Sequence, residues 1–206
     1  MSHWLEEAER EEQRKKQKPA LESARIQDKK FRIARNYEKN KDAYDEFIEM
    51  LLDLCSRANQ LPPEKRIPWK QIEFYEKESR LENHLYVIST DESFDKTITI
   101  KAFPFVKNQH YRHVHKIYLS VSKEMGKVDI EVKDDYIAKT RLREDGKEET
   151  KTLNDGLTRV HLMFIYDISR LNRDLAYKIL DWLAFKEELK SLPFREEHFK
   201  YPHGRK

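Results

Sequence analysis

The stretch His110-Tyr111-Arg112-His113-Val114-His115 brings three imidazoles close together in sequence. On a strand, side chains two apart share a face, so His113 and His115 could grip one divalent ion. His110, His84 or His161 could supply a third donor. Ile117, Leu119 and Val121 continue the same parity, which marks this as the candidate inward face of a sheet. No acidic residue sits at a spacing that completes a known metal signature. The plainer alternative is a pair of rim histidines bonded to backbone or water. A second group, Asp129-x-Glu131-x-Lys133, has the residue types with which nucleases hold Mg²⁺ and orient a water. Its alternation with Val128, Ile130 and Val132 is equally that of a solvated strand face.

Nucleophilic and nucleotide chemistry find little support. Cys55 falls within an apolar helix stripe, where a thiol behaves as a small hydrophobe. No serine lies in a G-x-S-x-G elbow. Four glycines in 206 residues nearly exclude phosphate loops and dinucleotide fingerprints, and one cysteine excludes a disulfide framework. No catalytic residue and no cofactor are expected.

The third chemical feature is charge. Residues 1–12 carry five glutamates against Arg10, residues 14–41 carry eleven Lys or Arg against three acids, and residues 42–58 are again acidic. Lys18, Arg25, Arg32 and Lys39 recur every seven residues with Arg35 beside them, a stripe that could follow a phosphate backbone or an acidic protein surface. Aromatics do not interleave with it as single-strand stacking would require. On the opposite side Ile26, Ile33, Tyr37, Asn40 and Tyr44 form an a/d-like seam that could pair with another helix, with Asn40 setting its register.

These features need elements to carry them. Charged residues make up 38% of the chain against a typical quarter, while an aromatic share of 11% still argues for a folded core. The spacing predicts helix through residues 3–61, interrupted or restarted at Pro19 and stopped by Pro62-Pro63. Its apolar face broadens after residue 43, so 43–61 should dock while 20–42 projects or pairs. Period-two patterning then predicts strands at 70–76, 84–90, 96–103, 112–122, 127–133, 136–143, 147–153 and 158–166, with an Asp145-Gly146 hairpin turn. Asn172 should cap a last helix over 173–191. Tyr86, Tyr111, Tyr118 and Phe164 could line a cavity between helix and sheet.

The expected fold class is therefore α+β: a long N-terminal helix, a meander-like antiparallel sheet of six to eight strands, and a C-terminal helix packed on it. The organisation is a charged helical arm at 1–42, a domain at 43–193 and a polar tail at 194–206. The acidic start lacks an apolar leader and no stretch is long enough to span a bilayer, so a cytoplasmic protein is expected. The leading functional expectation is a non-enzymatic interaction module that self-associates or binds a protein through residues 20–42. Nucleic-acid binding by the basic stripe and metal binding or metal-dependent catalysis at His113 and His115 are the alternatives.

Overall fold

The computed structural model describes residues 3–94, 96–102, 105–138 and 160–194. A single helix, α1 (His3–Asn59), carries the first quarter of the chain, with Pro19 inside it. The expected interruption at Pro19 is absent. Proline removes one backbone bond there, but the flanking Glu, Arg, Lys, Gln and Ala are strong helix formers and the bond it removes faces water. The period of 3.6 then decides which side is covered. Ile33, Asn36, Tyr44, Phe47, Ile48, Leu51, Leu54 and Cys55 are buried, whereas the described side chains from Glu7 to Arg25 are all exposed.

Contact with the rest of the fold thus begins near Lys30 and Ile33, earlier than the expected boundary at residue 43. The reason is polar. Asn36 is wholly buried, and its Nδ2 donates to the carbonyls of Ser122, Glu124 and Lys127 at 2.8–2.9 Å. Its Oδ1 accepts from Gly126 N at 2.8 Å and from Asn40 Nδ2 at 2.9 Å. Gly126 holds φ at 72°, a region L-residues rarely adopt, and so lets the turn offer its amide to the helix. Further along, the Tyr44 hydroxyl lies 2.7 Å from the His84 carbonyl and 3.2 Å from that of Leu119. Asn59 closes the helix by pairing with both backbone groups of Ile72.

The strands are β1 (Trp69–Lys77), β2 (Leu85–Glu92), β3 (Lys96–Ala102), β4 (Phe105–Val121), β5 (Lys127–Ala138) and β6 (Val160–Asp167). All pairings are antiparallel, in the order β1-β2-β4-β5-β6, with β3 also paired to β4. The sheet is five strands wide, narrower than the six to eight expected. β2 and β3 lie end to end along one edge of the long β4: β2 pairs with 114–119 and β3 with 105–111. Two expected strands, 127–133 and the start of 136–143, are one unbroken β5. The expected Asp145-Gly146 turn, the strand 147–153 and the beginning of 158–166 lie outside the described residues, as does the tail from 195.

Asn172 caps the last helix, α2 (Arg173–Leu183), accepting from Leu175 N at 2.9 Å. This helix stops eight residues before the expected end at 191. Lys186 N bonds to Asp181 O and Phe185 N to Trp182 O, a left-handed terminal turn in which Phe185, not glycine, takes φ 56°. α2 buries Leu175, Ala176, Ile179, Trp182 and Leu183. Both helices contribute to one core with the inner-face residues Ile88, Ile117, Leu119, Ile130, Val132 and Phe164. Burial of each such side chain contributes about 1.5–3 kcal/mol. Tyr86, Tyr111 and Phe164 share that face, but register turns Tyr118 to the opposite one, beside Lys133 Nζ, so the four tyrosine and phenylalanine rings line no common cavity. Among the described residues no helix is long and apolar enough to cross a membrane.

Candidate metal centre

The inner face changes character toward one end of the sheet. There, register sets Thr90, His115 and Asp134 in one cross-strand row and His113 opposite Tyr136 in the next. Glu92 ends β2 just beyond its last pair with β4, Asp91 to Val114. His113 and His115 are only 6% and 4% exposed, and their rings meet edge to face with centroids 4.8 Å apart. The strand spacing that placed them on one face therefore places them in contact.

Each imidazole is oriented from outside the space they share. His115 Nδ1 lies 2.8 Å from the carbonyl of Trp182, the residue that also accepts Phe185 N at the end of α2. A carbonyl only accepts, so Nδ1 carries a hydrogen, and in the neutral ring Nε2 keeps its lone pair. The ring is packed between the indole of Trp182, centroids 4.3 Å apart, and the phenyl of Phe185 at 4.0 Å. Burial among these rings pushes His115 down to about 4, against the opposing pull of the Trp182 carbonyl and Asp134. His113 Nδ1 sits 2.9 Å from Glu92 Oε2 and its Nε2 2.6 Å from Asp134 Oδ1. Tyr136 stacks on the His113 ring at 4.4 Å.

The remaining contact is the informative one. His115 Nε2 and Asp134 Oδ2 face one another across 3.8 Å, a lone pair toward a carboxylate oxygen. Both atoms can donate an electron pair to a cation set beside them. Zinc–nitrogen and zinc–carboxylate bonds of about 2.0–2.2 Å each would bridge that gap with a bent angle at the ion. One donor atom from each of His113, His115 and Asp134 falls within 4.8 Å of the others. The Nδ1 partners, the Glu92 carboxylate and the Trp182 carbonyl, are those that fix ligating histidines in metal sites and raise their basicity. The buried Thr90 hydroxyl, in the same row, has no hydrogen-bond partner.

No family model, curated protein or solved structure matches this chain. The reading of the centre rests on its own geometry.

The other sequence-derived candidates fall elsewhere. His110 is in β4, but its side chain lies outside the described residues. His84 stacks on Tyr37, centroids 3.6 Å apart, and His161 Nε2 meets Glu131 Oε1 at 2.7 Å on the outer face. Glu131 also takes Lys133 Nζ at 2.7 Å, so the Asp129-Glu131-Lys133 triplet lies on the far side of the sheet from the histidine pair. Lys18, Arg25, Arg32, Arg35 and Lys39 are exposed along α1, with Arg32 paired to Asp28 at 3.1 Å. In the seam Ile33 and Tyr44 are buried, and Ile26, Tyr37 and Asn40 are partly buried. From Ile33 onward this seam is filled by the chain's own sheet and turns, not left open for a second helix. Glu92 and Asp134 escaped sequence reading because they join the histidines across strands, through register. Asp134-Asp135 reads as a turn signal between two strands, yet one strand runs through it.

Proposed function

We propose that this chain is a metal-binding protein in which His113, His115 and Asp134 hold one divalent transition-metal ion. The observation that carries the reading is the 3.8 Å approach of His115 Nε2, which holds a lone pair in the neutral ring that burial favours, to Asp134 Oδ2. Two imidazoles and a carboxylate are borderline donors suited to zinc, cobalt or nickel more than to calcium or magnesium. Three protein donors leave a coordination position for water or an anion, the pattern of reactive rather than purely structural zinc sites. Thr90, whose buried hydroxyl has no hydrogen-bond partner in the row of His115, would bond such a water.

Equilibrium dialysis of the full chain against Zn²⁺, followed by elemental analysis, tests this. One ion per chain is expected, with His115→Ala and Asp134→Asn each weakening binding about a hundredfold or more. Co²⁺ should give the visible absorption of a low-symmetry nitrogen–oxygen site. Glu131→Gln, on the opposite face, should bind as the parent does. Equal uptake by the parent and His115→Ala would overturn the reading. It would leave the cluster as an ion-paired structural network around His113.

A further inference from the structure

Strand β1 is one edge of the sheet, and hydrogen-bond parity defines what its free side offers. In an antiparallel ladder alternate residues turn both backbone groups toward the neighbouring strand, and those between turn theirs away. Asn59 bonds both the N–H and the carbonyl of Ile72, so Ile72 faces away from β2. Phe74 and Glu76 share its parity, while Glu73, Tyr75 and Lys77 pair inward with Ser89, Val87 and Leu85. Ser93 N, at the parity of Ser89, reaches the Pro68 carbonyl, as this phase requires. No other described residue bonds the backbone of Phe74 or Glu76 on the free side.

The open run is short and has a centre. At one end Asn59 occupies the position beside Ile72, and at the other β1 ends at Lys77. What remains is 73–77, with Tyr75 in the middle. A second copy of 73–77, laid antiparallel about a two-fold axis at Tyr75, sets Phe74 opposite Glu76 twice. These are the outward-facing residues, so each pair exchanges two backbone hydrogen bonds. The same register sets Glu73 opposite Lys77 twice, and Tyr75 opposite its own equivalent. With the axis at Phe74 instead, the second strand would run into Asn59. With the axis at Glu76, two glutamates would meet. Charges on an edge strand usually hold copies apart, but in this one register they pair.

The side chains are free to do so. Glu73, Tyr75 and Lys77 are exposed on the outer face of the sheet, Tyr75 by 47%. Neither Glu73 nor Lys77 makes an ion pair among the described residues. On the inner side a groove of about 540 Å³ lies between Leu52, Ser56 and Gln60 of α1 and residues 71–75, so the helix leaves room beside the edge.

We infer that β1 pairs with β1 of a second copy of this chain, antiparallel and centred on Tyr75, joining two sheets into one. The contact is isologous and closes on itself as a dimer. It is independent of the metal reading, since it uses no ligand of that site.

Sedimentation equilibrium on the full chain tests the pairing, and cross-linking tests its register. So small a contact makes a weak dimer, and the mass should rise from monomer toward dimer between about 10 µM and 1 mM. Glu76→Pro removes an outward N–H and leaves the bonds to β2 in place, a position where an edge strand tolerates proline. It should weaken association about tenfold. Glu73→Lys and Lys77→Glu should each weaken it about fivefold, and a mixture of the two should restore a one-to-one pair. Cys55 is buried, so Tyr75→Cys offers one reactive thiol and should form a disulfide with its own equivalent. Tyr177→Cys, exposed on α2, should not. A chain that stays monomeric at about 1 mM overturns the inference. So does a dimer unchanged by Glu76→Pro and by both charge reversals. Slow deuterium exchange at Phe74 and Glu76 in a monomer overturns it equally, because the edge would then be filled from within the chain.

Discussion

Two polar side chains tie a helix to the β4–β5 pair, one at each end, and they differ in how completely they are satisfied. At the turn, Asn36 of α1 spends every donor and acceptor it has on Ser122, Glu124, Gly126, Lys127 and Asn40. At the other end, His115 gives its Nδ1 hydrogen to the end of α2 and is left with a lone pair facing a carboxylate. Both are buried, and both span elements far apart in sequence. The first is complete as it stands. The second keeps a donor atom that the metal reading assigns to an ion. Buried polarity by itself does not separate a structural residue from a functional one; the atom left over does.

The contrast can be broken most forcefully at Asn36. Asn36→Ala strands a buried amide and up to three carbonyls, and should lower stability by about 2–4 kcal/mol in urea unfolding. Zinc affinity at the other end should stay within twofold. A parallel loss of both would show that the two ends are not independent. Next in size, Glu92→Gln keeps the shape of the His113 contact but removes its charge. Zinc binding should weaken about 10–100-fold, as for other partners of ligating histidines, with a small change in stability.

A gentler test uses acid on the metal-free protein. Burial holds His115 near 4 in the fold, while the unfolded ring titrates at its ordinary 6.5. Between these values the unfolded state takes up a proton that the folded state refuses. Stability should be full above pH 6.5 and fall as pH drops toward 4, at a slope on the order of 1 kcal/mol per pH unit at most. His115→Phe should flatten that part of the profile relative to the parent. A profile identical in both chains would remove the neutral ring from the account. The smallest effect is expected at Thr90→Val, where an unpartnered hydroxyl gives way to a methyl. The metal-free protein should change by less than about 0.5 kcal/mol, upward if at all, while zinc binding weakens severalfold.

Much of this arrangement is legible before any coordinates. The seven-residue seam from Ile26 to Leu54, the common face of His113 and His115, and the Asn172 cap all follow from local periodicity and side-chain chemistry. What escapes is of two kinds. Partners supplied by register, Glu92 and Asp134, have no sequence signature because nothing in one strand records its neighbour's alignment. Residues whose types contradict their roles mislead outright. Asn40 reads as a register-setting residue of a helix pair, yet it donates to Asn36, the buried side chain that fastens the turn. Phe185 ends α2 in a conformation that usually selects glycine, so the stop is invisible until the backbone is seen. Asp134 and Asp135 resemble a turn because aspartate is rare within strands, and here the strand persists with Asp134 turned to the histidines.

The long helix has a mechanical consequence. α1 is held near Asn36 and free at its start, which makes it a lever with its pivot at the β4–β5 turn. Trp4 lies thirty-two residues from that pivot, about 48 Å along the axis, so a tilt of about 5° at Asn36 sweeps the tip through ~4 Å. A displacement too small to disturb the turn's hydrogen bonds thus becomes, at the far end, a step comparable to a side chain's width.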